Sequence, residues 1–384
     1  MNERAPRIRR ANTWVEISAA ALRHNIGAFR SLAGPERRLA AIVKADAYGH
    51  GLIDISRESL RGGADWLGVF WAREGLALRE AGIEAPILVL GDTPRELLPD
   101  ASRSGLRLTV PSLEAVRRIC ELESDGTLLV HLKLETGTNR QGLLRREIPE
   151  AVRLLRSRGV EIEGVYTHFA DIEDTTDHAF AEYQRRRFSQ LLESLAEQGL
   201  DPPIKHTACS AAAILFSETH LDLIRVGIAL YGLWPSKETF VSASLRGREA
   251  VELHPVMTWK TRVTQIKDVP TGDYVGYGRT YRATRATRLA MLPIGYADGY
   301  DRSLGNSAHV LVRGVRAPVR GRVCMNLTMV DVTDVPNAAA EDEVVLLGRQ
   351  GDERIAAEDL AALAGTINYE LVTRAAPGAP RVVV

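Results

Sequence analysis

Short, uninterrupted apolar runs recur through roughly the first 230 residues, each bounded by Gly, Pro or polar positions. Eight stand out: Leu39–Val43, Trp66–Phe70, Ile87–Leu90, Leu106–Val110, Leu128–Leu134, Ile162–Thr167, Ile204–Thr207 and Leu221–Val226. A strand with one wet face alternates apolar and polar residues, whereas a strand buried on both faces reads as a continuous apolar run. Between most of the runs lie stretches with apolar residues on one helical face, such as Ala72–Ala81, Leu113–Leu122 and His178–Gln198, and Ala19–Leu32 precedes the first run in the same pattern. Strands alternating with helices require crossover connections and a parallel sheet. Eight such units over roughly 200–250 residues predict a (β/α)8 barrel rather than a doubly wound open sheet.

The texture changes after about Arg248. The segments VMTWKTRVTQI, RLAMLPIGY, AHVLVRG, VCMNLTMVDVT and DEVVLLG are short and rich in Val and Thr. Turn signals separate them, among them Pro270-Thr271-Gly272-Asp273 and Gly305-Asn306, which reads as a mostly-β domain. Thr13–Ile17 alternates like one more strand that could join it. The expected division is therefore an arm and strand over 1–18 joined to the C-terminal domain, a barrel over 19–247, and a mostly-β domain over 248–384.

Composition narrows the class. In 384 residues, 49 Lys+Arg balance 49 Asp+Glu, so no global basic field favours nucleic acid or an anionic membrane. Three cysteines far apart exclude a disulfide framework and a CxxC pair, and no metal site is expected. No apolar run approaches the roughly 20 residues of a membrane helix, and the basic start MNERAPRIRRANTW lacks the apolar region of a secretory signal. A cytoplasmic enzyme is the expectation. Only six basic residues are lysine (Lys44, Lys133, Lys205, Lys237, Lys260 and Lys267), so a lysine at a strand end stands out. Lysine can lose its proton and form a Schiff base; arginine can do neither.

Barrel chemistry gathers where strands run into loops. The first run leads into Lys44 and then Tyr48-Gly49-His50-Gly51; the fifth contains Lys133 and leads to Arg140. The sixth ends at Thr167-His168, the seventh gives His206-Thr207-Ala208-Cys209-Ser210, and the eighth gives Arg225-Val226-Gly227-Ile228. Ser210 before three alanines reads as a helix N-cap, and the loops after strands seven and eight form the usual phosphate site of this architecture. An amine at one strand end thus faces a phosphate cradle, with two arginines and a histidine around it. No acidic pair suited to glycoside hydrolysis, GxSxG elbow, HExxH pair or GxxxxGK[ST] loop competes. Pyridoxal 5′-phosphate held as a Schiff base fits; an aldolase-type lysine, with the phosphate on the substrate, fits these features as well.

The stretch AIVKADAYGHG (41–51) resembles the cofactor-lysine signature of the alanine racemase family. HLKLETGTNR (131–140), YTHFA (166–170), HTACSAAA (206–213), IRVGIALYGL (224–233), VGYGRTY (275–281), IGYADGY (294–300), GRVCMN (321–326) and TINYE (366–370) match in family order. The resemblance covers nearly the whole chain and implies a fold-type III, pyridoxal-phosphate-dependent enzyme. Such an enzyme interconverts L- and D-alanine by a two-base mechanism and provides D-alanine for peptidoglycan.

It further implies that Lys44 carries the cofactor and serves as the base on the D-face, with Tyr277 from the partner subunit opposing it. His168 and Arg225 would stand behind Tyr277, Arg225 also facing the pyridine nitrogen. Tyr48, Ser210, Gly227, Ile228 and Tyr369 would hold the phosphate. Arg140 would contact the cofactor and the substrate carboxylate, oriented by Lys133, which in many members is carbamylated. The Met325 amide, again from the partner, would hold the carboxylate, and Arg302 and Arg322 match positions lining the entry channel. A homodimer with shared sites follows. Glu135, Thr138, Cys209 and Asn326 stand where Asp, Met, Asn and Asp are the commoner family residues. The alternatives are a racemase of broader specificity, acting on serine or basic amino acids, and a non-enzymatic pyridoxal-phosphate carrier, which would lack the second domain. A basic amino-acid decarboxylase would carry a glycine triplet and a C-terminal acidic or Cys-containing motif, both absent here.

Overall fold

A computed structural model of the chain describes residues 11–122, 128–247 and 251–384. The basic first ten residues and the expected boundary at residue 248 lie outside these. Contacts divide the chain into two compact units. One comprises Ala21–Ala47 and Leu52–His254; the other comprises the residues up to Ala20, Tyr48–Gly51 and Pro255–Val384.

After a first strand, β1 (Thr13–Ile17), which belongs to the second unit, eight strands build the first. They are β2 (Arg38–Ile42), β3 (Trp66–Val69), β4 (Ile87–Val89), β5 (Arg107–Val110), β6 (Leu129–Lys133), β7 (Glu161–Tyr166), β8 (Ile204–His206) and β9 (Leu223–Val226). Each pairs in parallel with the next from β2 to β8, and β9 returns beside β2. At the remaining seam the Asp222 amide donates to the Lys205 carbonyl (3.0 Å) and the Arg225 amide to the Ala208 carbonyl (3.1 Å). The sheet is a nearly closed barrel, and its strands fall on the eight apolar runs. Residues such as Leu67, Val69, Leu88, Leu108, Val130 and Val165 are wholly buried, which is why these strands do not alternate.

The surrounding helices follow from capping and spacing. Ser112 caps Leu113–Cys120 by accepting from the Ala115 amide (3.2 Å), and Ala115, Val116 and Ile119 face inward. Ala179–Glu197 buries Ala181, Gln184, Phe188, Leu191 and Leu195, a stripe at three- and four-residue steps. Burying each of the large side chains contributes about 1.5–3 kcal/mol. Among the described residues, no helix is long and apolar enough to cross a membrane.

The second unit is mostly β. A seven-stranded sheet contains, in order, Val315–Pro318, His309–Val312, Glu343–Gln350, Met257–Arg262, β1 and Arg381–Val383, with Glu353–Ile355 beside Glu343–Gln350. A second sheet joins Gln265–Val269, Thr287–Leu292 and Thr328–Asp331. The Val- and Thr-rich segment 256–266 reads as a single strand in the sequence but serves two sheets. The Val263 amide still donates to the Asp342 carbonyl (3.0 Å), whereas the Thr264 amide turns to Met291 (2.9 Å). Two helices, Ala357–Ala364 and Asn368–Arg374, were not expected from the pattern.

Candidate active site

At the end of β2 the chain does something unusual. Ala45, Asp46, Ala47 and Tyr48 all adopt φ of 53–55°, one turn of left-handed helix directly after Lys44. For L-residues this costs about 1–2 kcal/mol each, so single visits are the rule and consecutive ones need support. The support is visible within the barrel unit. Glu74 accepts from the Ala45 amide (2.7 Å) with one carboxylate oxygen and from the Phe70 and Trp71 amides (3.0 Å each) with the other. Asp46 accepts from the Leu52 amide (2.7 Å). The left-handed turn thereby fixes the direction in which the chain leaves Lys44. A β-branched residue tolerates this conformation poorly. Ala45 is exposed, so Ala45→Val adds strain with no packing compensation. Its expected cost is about 2 kcal/mol in urea unfolding, while Ala45→Gly stays within about 1 kcal/mol of the parent.

The Lys44 amine is less basic than a free lysine, first because it is buried and second because the Arg140 charge lies near it. Lys133, at the end of β6, is pushed down to about 8 by burial and then by Arg140 and Arg225. Its amine sits 5.7 Å from the Tyr166 ring centroid. Arg140 is itself exposed, in the loop after β6, and its charge acts on both lysines, His168 and Tyr166. In that loop Glu135 accepts from the Gly137 amide (2.5 Å), and the Thr138 hydroxyl donates to the His168 carbonyl (2.7 Å). Two of the residues that differ from the commoner family pattern therefore hold the loop's shape.

Arg225, on β9, is a buried cation satisfied by the barrel itself. One terminal nitrogen donates to His206 Nδ1 (2.6 Å); the other donates to the carbonyls of Thr167 (2.9 Å) and Thr207 (3.0 Å) and lies 3.4 Å from His168 Nδ1. Its guanidinium carbon lies 5.1 Å from the Tyr166 ring centroid. Burial and the Arg225 charge hold His168 and His206 well below the ordinary histidine range, so both rings are neutral at pH 7. Burial pushes the Tyr166 phenol up to about 12 and the Cys209 thiol up to about 11, which leaves both as protonated bystanders. At the ends of β8 and β9, buried Ser210 heads the helix Ser210–Leu215, and its hydroxyl accepts from the Gly227 amide at 2.9 Å, with Ile228 next in the chain. The barrel thus brings Lys44, Lys133, Arg140, His168, Ser210, Arg225, Gly227 and Ile228 to the ends of strands β2, β6, β7, β8 and β9. Glu74 and His206 complete the arrangement. The anchoring role of Glu74 carries no local sequence signal, because its partners lie up to 29 residues away in the chain.

The remaining candidates lie in the second unit. Tyr48 and Tyr369 approach with ring centroids 6.2 Å apart. Tyr277 occupies a short turn and is 72% exposed, with the Arg322 guanidinium directly over the adjoining Gly278. Met325 is 56% exposed, and its carbonyl accepts from the Ala297 amide while the Cys324 carbonyl accepts from Tyr296 (both 3.0 Å). That clasp requires Gly295, where a Cβ would lie 2.1 Å from the Cys324 carbonyl oxygen. Arg302 is exposed in a turn capped by Asp301, and Asn306 ties that turn to the Arg322 segment by accepting from the Gly321 amide (2.7 Å).

Comparison with known proteins agrees along the whole chain. The profile of the alanine racemase N-terminal domain matches residues 17–235, and that of the C-terminal domain matches 256–383. The alanine racemase of Methanococcus maripaludis is 41% identical over 374 residues, covering 96% of this chain and 98% of that one. That of Halothermothrix orenii is 40% identical over 391 residues, covering 99% and 98%. A crystal structure of alanine racemase from Bacillus anthracis with bound L-Ala-P superposes with a TM-score of 0.90 at 36% identity, covering 97% of this chain and 95% of that one. With both domain profiles matched and relatives of 40–41% identity aligned nearly end to end, the chain belongs to the alanine racemase family, the enzymes that interconvert L- and D-alanine.

Proposed function

We propose that this enzyme racemises alanine with pyridoxal 5′-phosphate carried on Lys44, and that Lys44 and Tyr277 act as acid–base groups on opposite faces of the substrate Cα. The observation that carries this reading is the barrel's donor set: an amine of depressed basicity at the end of β2, and a serine hydroxyl beside a glycine amide at the ends of β8 and β9. That set suits a phosphorylated aldehyde, the amine for the carbonyl carbon and the hydroxyl and amides for the phosphate. Ser210, Gly227 and Ile228 hold the phosphate together with Tyr48 and Tyr369. When bound, pyridoxal phosphate supplies the carbonyl that takes up the substrate amine and the conjugated ring that accepts the electron pair left at Cα.

The chain's own residues do the rest. Arg140 and the Met325 amide take the substrate carboxylate. Lys44 removes or returns the Cα proton on the D-face and Tyr277 on the L-face, so each turnover takes a proton from one side and delivers one on the other. Arg225 would stand at the pyridine nitrogen, where a guanidinium would donate a hydrogen bond without giving up its proton, with His168 beside it. Arg302 and Arg322 line the approach. The high exposure of Tyr277 and Met325 supports a homodimer in which each subunit lends these two residues to its partner's site. In that arrangement residues 19–247 act as the cofactor barrel, and 248–384 with 1–18 act as the lending domain. The proposed setting is the cytoplasm, with D-alanine serving peptidoglycan. Borohydride reduction of the holoenzyme followed by peptide mapping should find the pyridoxyl group on Lys44; finding it on Lys133 would contradict the assignment.

Lys133 in turn is suited to carbamylation, because an amine titrating near 8 keeps a far larger neutral fraction at physiological pH than an ordinary lysine, and it is the neutral amine that attacks carbon dioxide. The resulting negative group would orient Arg140. In carbon-dioxide-free buffer the same residue makes stability depend on pH. The folded state releases the proton near pH 8, while the unfolded chain keeps it to about 10.4. Over that window the unfolded state binds more protons, so stability rises with pH. Lys133→Met should remove its share of the rise and stabilise the apoenzyme at pH 7 by at most about 3 kcal/mol, measured by urea unfolding at several pH values.

A further inference from the structure

A line of polar side chains leads away from Arg225 through the interior of the barrel. Arg225 donates to His206 Nδ1 at 2.6 Å; His206 Nε2 lies 2.9 Å from His131 Nδ1; His131 Nε2 lies 3.1 Å from Glu163 Oε2; and Arg107 Nε reaches the same oxygen at 3.4 Å. His131 and His206 are wholly buried, with Tyr166 stacked on His206 and Trp66 edge-on to His131.

Two features of the backbone exist to make this line. Along β6 and β7 the register runs Val130 to Ile162 and then His131 to Gly164, so Glu163 is an extra residue in a parallel ladder, where bulges are rare. The bulge brings the Glu163 carboxylate to His131, on a strand whose neighbouring residue, Gly164, leaves room for the imidazole. A Cβ at Gly164 would lie 2.4 Å from two atoms of the His131 ring.

Chemistry fixes the direction of every bond in the line. A guanidinium has no acceptor, so His206 Nδ1 must be bare. The ring is then neutral with its proton on Nε2, which donates to His131 Nδ1. His131 in turn carries its proton on Nε2 and donates to the carboxylate, which also accepts from Arg107. From this geometry we infer that Glu163, through His131, sets the tautomer of His206 and so holds the Arg225 guanidinium in place, making Glu163 and His131 positioning residues for racemisation. The inference rests on the role proposed for Arg225. Outer hydrogen-bond partners that orient a histidine in metal sites typically matter about 10- to 100-fold, and a comparable effect is expected here. The line needs an acceptor at residue 163, and a glutamine carbonyl can replace the shared carboxylate oxygen, its amide turning toward the solvent-accessible side.

The test is long-range 1H–15N spectroscopy of histidine-labelled holoenzyme at pH 7, with steady-state kinetics on Glu163→Gln and Glu163→Leu. The wild type should show His131 and His206 as neutral rings protonated on Nε2. Glu163→Gln should keep both tautomers and a kcat within about 3-fold of the parent. Glu163→Leu should lose the single tautomer of His131 and drop kcat about 10- to 100-fold, with KM changed far less. A proton on His206 Nδ1 in the wild type, an unchanged kcat in Glu163→Leu, or an equal loss in Glu163→Gln would each overturn the inference. Should Glu163→Leu not fold, the wild-type spectrum still decides. The spectra require no turnover, so an enzyme that does not racemise alanine would defeat the proposed function separately.

Discussion

Lys44→Ala is expected to abolish racemisation, with kcat reduced at least about ten-thousandfold. The loss exceeds that of an ordinary acid–base group, which contributes about 100- to 10,000-fold, because the variant removes both the proposed anchor of the cofactor and the proposed base on the D-face. Three measurements separate this from simple misfolding. Tm in the absence of cofactor should stay close to the parent value or rise, since a buried amine of depressed basicity is no source of stability. The absorbance of the cofactor–lysine linkage should vanish. Cα proton exchange should cease for both enantiomers of alanine. Retained exchange with either enantiomer would remove Lys44 from the chemistry.

Tyr277→Phe should separate the two faces. The phenyl ring keeps the shape of the exposed turn, so stability and cofactor loading should be unchanged. With the L-face group gone, kcat for racemisation should fall about 100- to 10,000-fold in both directions, because every turnover needs both proton transfers. Exchange of the Cα proton of D-alanine with solvent should persist through Lys44, whereas that of L-alanine should be lost. Equal exchange from both enantiomers at the parent rate would rule out the two-base assignment. The dimer reading adds a consequence. A mixture of Lys44→Ala and Tyr277→Phe subunits should regain activity, since a mixed dimer holds one intact site.

The barrel is legible in the sequence because strands buried on both faces leave continuous apolar runs, and β2 to β9 coincide with them. The helix Leu113–Cys120 is equally legible, since its apolar positions share one helical face. What escapes is geometry imposed from a distance. KADAY gives no hint of a left-handed turn, a conformation usually left to glycine or asparagine. Glu74 and Asp46 enforce it through amides that no periodicity reveals. The inward turn of Glu163 is hidden for the same reason, since a bulge shifts a strand by one residue without altering its composition. In the second unit, strands change partners within a single Val- and Thr-rich segment, at Val263 and Thr264, where pattern alone predicts continuity.

The candidate site divides along similar lines. Lys44, Ser210 and Gly227 stand at strand ends, where the chemistry of an amine, a hydroxyl and free amides can be read residue by residue. Tyr277 and Met325 are surface turn residues of the second unit, and only resemblance to a family singles them out. No local physical signal marks a side chain whose proposed work lies in another subunit. The tie from Thr138 to the His168 carbonyl was likewise invisible, although the sequence flagged Thr138 as a departure from the family pattern.

The most direct test of the central claim is a single reaction, L-alanine with the purified holoenzyme in heavy water, followed for enantiomer ratio and for deuterium at Cα in each enantiomer. Two exchangeable bases on opposite faces should produce D-alanine carrying solvent deuterium from the first turnovers, while the remaining L-alanine keeps its protium. D-alanine formed with the original proton retained would mean one base serving both faces. L-alanine that neither racemises nor exchanges, despite bound cofactor, would contradict the account altogether.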